Sequence, residues 1–175
     1  MKNLLLVVAL IPLIVSGQQK SNPTELSNLN DRFIKSIDNL TLDAAYMVSH
    51  RAMEKAFELD KNVSIAVLDA SGNIILLIRG DTVGIHNTEA ARRKAYTALS
   101  TKTPTLELLQ KAHSNPLIEN LNTLPELLLL SGGSPIWYQG NVVGSIGVAG
   151  GGSPENDDLI AKSAAIKENG ITTSK

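Results

Sequence analysis

A chain with no cysteine, and with aromatic residues at only 3% of its length, must be held together by aliphatic packing alone. Without thiols it has no disulfide, no thiolate metal site and no cysteine nucleophile. Its core has to come from Leu, Ile, Val and Ala, and every large ring then needs a reason of its own. The 175 residues suffice for one domain, because a single core of that size buries most of its own surface. With 43% apolar and 19% charged residues, the mixture is that of a globular protein.

The N-terminus departs from this average. Lys2 and Asn3 precede an apolar run from Leu4 to Val15, interrupted by Pro12, and Val15-Ser16-Gly17 places small residues where a signal peptidase cuts. This layout predicts a secretory signal over residues 1–17, a mature chain starting at Gln18, and a secreted or periplasmic protein. The run has about 12 residues, short of the roughly 20 that a helix needs to cross a bilayer, so no membrane span is expected after cleavage. No cysteine follows it, which excludes a lipoprotein anchor. The formal net charge is −1, and no run of Lys and Arg could neutralise a phosphate backbone, which argues against nucleic acid as a partner.

Residues 18–40 are polar with scattered Leu, Phe33 and Ile34, and read as a linker with a short helix; the domain proper is expected over 41–170. Thr41 or Asp43 can cap a helix to about Leu59, in which Ala45, Val48, Ala52, Ala56 and Leu59 recur at helical spacing. Small residues on that stripe let the helix sit close to a sheet. Val63–Leu68 and Ile74–Ile78 read as a hairpin around Gly72-Asn73. A helix from Asn87 or Thr88 to about Leu99 follows, then a shorter one near Thr105–Ala112 and irregular chain over 113–125. Glu126–Leu130 is a candidate third strand, and Pro135–Tyr138 with Val142–Ala149 a second hairpin around Gly140-Asn141. Ser153 caps and Pro154 opens a last helix, whose Glu155, Asp157 and Asp158 suit its positive end. Adjacent hairpins imply a mostly antiparallel sheet with helices packed on it, an α/β (α+β) fold.

Several of these segments belong together. Val67-Leu68-Asp69-Ala70-Ser71-Gly72-Asn73, Ala91-Arg92-Arg93-Lys94-Ala95-Tyr96-Thr97-Ala98, Gly132-Gly133-Ser134-Pro135-Ile136 and Gly140-Asn141-Val142-Val143-Gly144-Ser145-Ile146-Gly147-Val148-Ala149-Gly150 occur in this order, with Asp158 beyond. The series resembles the GlcG/HbpS family of haem-binding proteins, which includes the C-terminal domain of PduO-type proteins. It covers roughly Thr41 to Ala165. The resemblance implies a profilin-like three-layer α/β/α sandwich around a five-stranded antiparallel sheet, assembly into homo-oligomers, and binding of haem or a related tetrapyrrole. It carries over no axial ligand. Where the family commonly has an Asp-Gly pair, this chain has Gly80-Asp81-Thr82.

Haem iron takes a His, Tyr, Met or Cys side chain, and Cys is absent. On the first helix Tyr46, His50, Met53 and Phe57 are spaced four, three and four, which aligns them on one face about a quarter-turn from the alanine stripe. In a chain so poor in rings, this row is either a subunit interface or flanking core, or a haem contact, and an interface and a haem contact are compatible. His50 is the first choice of iron ligand, Tyr46 the second and His86 the third. His86 lies just before the second helix with Arg92 and Arg93 near, where free N–H groups and guanidinium forks suit a propionate or a small carboxylate; a capped helix start with solvated arginines is the alternative. Lys94 could pair with Asp69.

His113 reads as a loop histidine, and the three His show no zinc-ligand spacing. Gly144, Gly147 and Gly150–Gly152 lack the Lys-Ser/Thr of a phosphate loop, so close packing is the better account. No nucleophile has an activating neighbour, so binding is favoured over catalysis. The leading expectation is an exported haem protein for storage, relay or sensing. The alternatives are an enzyme or accessory acting on a small carboxylate or on haem itself, and a structural oligomer that binds another protein. The signal reading is checked by mass spectrometry of the exported protein, which should start at Gln18 or within a few residues of it; a retained Met1–Gly17 segment contradicts it.

Overall fold

The structure, a computed structural model, describes residues 33–174. The apolar leader, the cleavage point and the linker up to residue 32 lie outside the described residues. The chain divides between Ser36 and Ile37, and the architecture below is that of the unit beginning at Ile37. Residues 34–40 carry no helix.

Thr41 starts the first helix, α1 (Leu42–Glu58), by accepting the Ala44 N–H on its side chain. Strands β1 (Ser64–Asp69) and β2 (Ile74–Arg79) form a hairpin whose turn is organised by Asp69. Its carboxylate accepts the N–H groups of Ser71 and Asn73, both at 2.8 Å. Helices α2 (Ile85–Thr101), α3 (Thr105–Ser114) and the single turn α4 (Pro116–Glu119) follow, the last continued as a 3₁₀ turn over Asn120–Thr123. Strands β3 (Gly133–Tyr138) and β4 (Asn141–Ala149) make the second hairpin. Helix α5 (Pro154–Ser163), capped by Ser153, leads to a two-residue strand, β5 (Ile171–Thr172).

The five strands form one antiparallel sheet in the order β2-β1-β4-β3-β5. Alternation along β1 sends Ile65 and Val67 to one face, where they pack with Ala45, Val48, Ala52 and Ala56 of α1 and Ile160 and Ala161 of α5. Ala66 and Leu68 point to the other face and meet Ala91 and Ala95 of α2. The result is the three-layer α/β/α sandwich. Among the described residues, no helix is long and apolar enough to cross a membrane.

Glycine decides how closely α2 lies on the sheet. A Cβ on Gly147 would stand 2.0 Å from the Ala91 carbonyl oxygen, and one on Gly133 would stand 2.3 Å from that of Lys94. These two glycines face each other across β3 and β4, so helix backbone rests directly on strand backbone.

Four expectations need correction. Glu126–Leu130 is not a strand. It keeps the alternation that suggested one, with Leu127 and Leu129 buried against Leu108 and Ala112 of α3. Its backbone, however, is satisfied by side chains of α2: Thr97 Oγ1 accepts the Leu128 N–H at 2.8 Å, and Arg93 donates to the Leu127 carbonyl at 2.7 Å. The fifth strand is Ile171–Thr172, beyond the expected domain end. Lys94 pairs with Asp157, not Asp69. His113 stands on the last turn of α3 rather than in a loop. Replacing Gly147 with Ala puts a methyl group against helix backbone that cannot swing aside, and should cost about 1–3 kcal/mol or more; denaturant unfolding measures this, and an unchanged midpoint contradicts the contact.

Candidate functional site

The outer face of α1 is where the small-residue stripe leaves its mark. Because Ala45, Val48, Ala52 and Ala56 take the buried positions, the large residues of the helix fall outside. Tyr46 is 57% exposed, Met53 40% and Phe57 85%. They span 11 residue steps, about 16 Å at 1.5 Å per residue. His50 sits within this row, and its Nδ1 lies 3.5 Å from Glu54 Oε1 one turn on. Both side chains are more than half exposed, at 68% and 61%. The structure therefore brings Tyr46, His50, Met53 and Phe57 together as a soft, flat, exposed surface around one imidazole.

The second group is dispersed. Helix α2 starts at Ile85 with Gly84 as its N-cap and no side-chain cap, so neither Asn87 nor Thr88 caps it. Thr88 Oγ1 lies 3.2 Å from Ser64 Oγ of β1 instead. His86 is exposed at this start. Arg92 is engaged within the chain, donating to Glu89 Oε1 at 2.7 Å and to Glu126 Oε2 at 2.8 Å. Arg93 holds the Leu127 carbonyl. Since α1 and α2 pack on opposite faces of the sheet, His50 and His86 belong to different layers and cannot meet one ligand within a single copy.

A cleft of about 230 Å³ opens between the start of α1 and the β3–β4 hairpin, lined by Leu40, Thr41, Ala44, Tyr138, Val143 and Ile171 among others. It lies below the roughly 300–1,000 Å³ usual for small-molecule sites and contains no histidine. Among the described residues, no three His, Asp or Glu side chains gather as a metal site.

Sequence reasoning placed Lys94 with the wrong partner. Its ammonium is buried, donating to Asp157 Oδ2 at 2.7 Å and to the Val148 carbonyl at 2.9 Å. The other oxygen of Asp157 accepts the Gly151 N–H at 2.7 Å. The cluster joins α2, the end of β4 and α5. Its only advance signal was Asp157 at a helix start after a glycine run.

Residues 40–166 match the family model described as haem degrading protein HbpS-like. The chain belongs to the HbpS-like family. It is 30% identical over 132 residues, covering 74% of this chain and 92% of the relative, to a 15.0 kDa protein of the dhaT-dhaS intergenic region of Citrobacter freundii. A double mutant of HbpS from Streptomyces reticuli superposes with a TM-score of 0.69 at 37% identity, over 75% of this chain and 88% of that one. The crystal structure of a PduOC:heme complex gives 0.68 at 27% identity, over 78% and 99%. These neighbours share the five-stranded antiparallel α+β architecture.

The engagement of Arg92 has a measurable consequence. Its hydrogen bond holds the Glu89 carboxyl below the ordinary carboxylate value, outweighing the opposing effect of partial burial. Arg92→Ala should raise the Glu89 titration midpoint toward the ordinary value, read by NMR of the side-chain carboxyl; an unmoved midpoint contradicts the pair.

Proposed function

We propose that this protein is exported and binds haem on the outer face of α1, between two copies of the chain, for storage, relay or sensing. The observation that carries the reading is the exposed row Tyr46, Met53 and Phe57 around His50. A flat apolar macrocycle fits such a surface and supplies what it lacks, a cover that excludes water. Burying side chains like Met53 and Phe57 stabilises by roughly 1.5–3 kcal/mol each, which favours pairing of two α1 faces. Bound haem brings the redox and ligand chemistry of its iron. The chain's part is to present the His50 imidazole from a rigid helix, with the Glu54 carboxylate 3.5 Å from Nδ1 and Tyr46 as the second choice of ligand.

Two further observations support the reading. The PduOC relative is a haem complex, and the signal-like leader supports export. The small-carboxylate reading loses its cations, because Arg92 and Arg93 are engaged elsewhere. Haem breakdown remains a second reading, favoured by the family description.

Titration of the purified protein with haemin should give a saturable Soret band. His50→Ala should lose or shift that band, whereas Arg92→Ala should leave it in place. A band that forms and then bleaches under a reductant and oxygen favours breakdown over storage. Absence of saturable binding sinks the haem reading, and a wild-type spectrum in the His50 and Tyr46 variants moves the site away from α1.

A further inference from the structure

Asparagine followed two positions on by Ser or Thr, with no proline between, occurs twice, at Asn39-Leu40-Thr41 and Asn62-Val63-Ser64. Asn22-Pro23-Thr24 is ruled out by its proline. In an exported chain such a triplet is an acceptor for an N-linked glycan, whose bulk requires a surface position. The fold treats the two asparagines differently.

Asn39 has a structural task. Its Oδ1 accepts the Leu40 N–H at 3.1 Å and the Ala70 N–H at 2.7 Å, tying the chain before α1 to the turn between β1 and β2. Those bonds account for an asparagine at that position. Asn62 lies in the connection between α1 and β1 and is exposed. Among the described residues its carboxamide has no hydrogen-bond partner. The backbone around it is nonetheless fixed. A Cβ on Gly150 would stand 3.2 Å from the Asn62 carbonyl oxygen, and the Val63 carbonyl accepts the Gly80 N–H at 3.0 Å. A held backbone thus presents to solvent a carboxamide that the fold does not use. Asp60 also stands two positions before this acceptor, where one class of oligosaccharyltransferase reads a carboxylate; Ile37 holds that place before Asn39.

We infer that Asn62 carries an N-linked glycan and that Asn39 does not. The donor is an oligosaccharide joined through a diphosphate to a polyprenyl lipid. Asn62 Nδ2 forms a bond to C1 of the first sugar while the bond from C1 to the diphosphate oxygen breaks. One amide proton passes to a base of the transferase, and the polyprenyl diphosphate leaves; nothing is oxidised or reduced. The order of events follows from Ser64, whose hydroxyl belongs to the recognised triplet. In the folded domain Ser64 is fully buried at the start of β1, with its Oγ 3.2 Å from Thr88 Oγ1 on α2. Transfer therefore precedes the pairing of β1, and the finished fold accommodates the product because the Asn62 side chain stays outside. The inference rests on the export reading, since the lipid-linked donor is used outside the cytoplasm.

The test is mass spectrometry of the full exported protein, purified from the cells that naturally make it and digested with trypsin. Cleavage after Lys35, Arg51, Lys61 and Arg79 puts Asn39 in the peptide 36–51 and Asn62 in the peptide 62–79. The peptide 62–79 should carry the mass of an oligosaccharide and release sugar fragments, with 36–51 unmodified. Asn62→Gln, a change at an exposed side chain without partners, should remove the added mass and leave the circular dichroism unchanged. A chain that starts near Gln18 with an unmodified 62–79 overturns the inference and leaves the export reading standing. A chain that retains its leader overturns the export reading and the inference with it. A glycan on 36–51 in place of 62–79 overturns the assignment to Asn62.

Discussion

Helix α2 rests on the sheet with no side chain between them at Gly133 and Gly147, and the arrangement of the other layers depends on that approach. With the helix so low, the short distance from Lys94 to the end of β4 becomes reachable, and its ammonium binds both the Val148 carbonyl and Asp157. Removing one member of a buried ion pair typically costs about 3–5 kcal/mol, because the other charge is left without water or partner. Asp157 is fixed in turn by the Gly151 N–H. One buried cation thereby ties α2, β4 and the start of α5 at a single point, in a protein without covalent cross-links.

The same economy of side-chain volume acts on the other face. Alanines along α1 bring that helix close to β1 and β2, and they leave the bulky residues of the helix no place inside. Tyr46, Met53 and Phe57 are exposed as a consequence of close packing beneath them, and His50 is exposed with them. A core made of small aliphatic side chains and an outer surface made of soft, flat ones are two results of one sequence pattern.

The α2 start shows how tertiary contacts can consume groups that look available. Arg92 and Arg93 stand one after the other near a histidine, which in a sequence suggests an anion site. The segment 126–128 folds back over α2 and takes both guanidinium groups, Arg92 through Glu126 and Arg93 through the Leu127 carbonyl. That segment also explains the strand that is absent. Its alternating leucines are buried as a strand's would be, but among the described residues it joins no ladder, and Thr97 and Arg93 hold its backbone instead.

The sequence by itself determined what depends on local chemistry and short periods. The caps at Thr41 and Ser153, the two hairpins, the alanine stripe of α1 and the row Tyr46, His50, Met53 and Phe57 all follow from spacing within a few residues. The family followed from the order of its glycine-rich elements. Only the tertiary structure decided what joins residues far apart in the chain: Lys94 with Asp157, Arg92 with Glu126, and Ile171–Thr172 with β3. A two-residue strand has no period to detect, and a lysine set among arginines and alanines in sequence has no partner until the layers bring one within hydrogen-bonding distance.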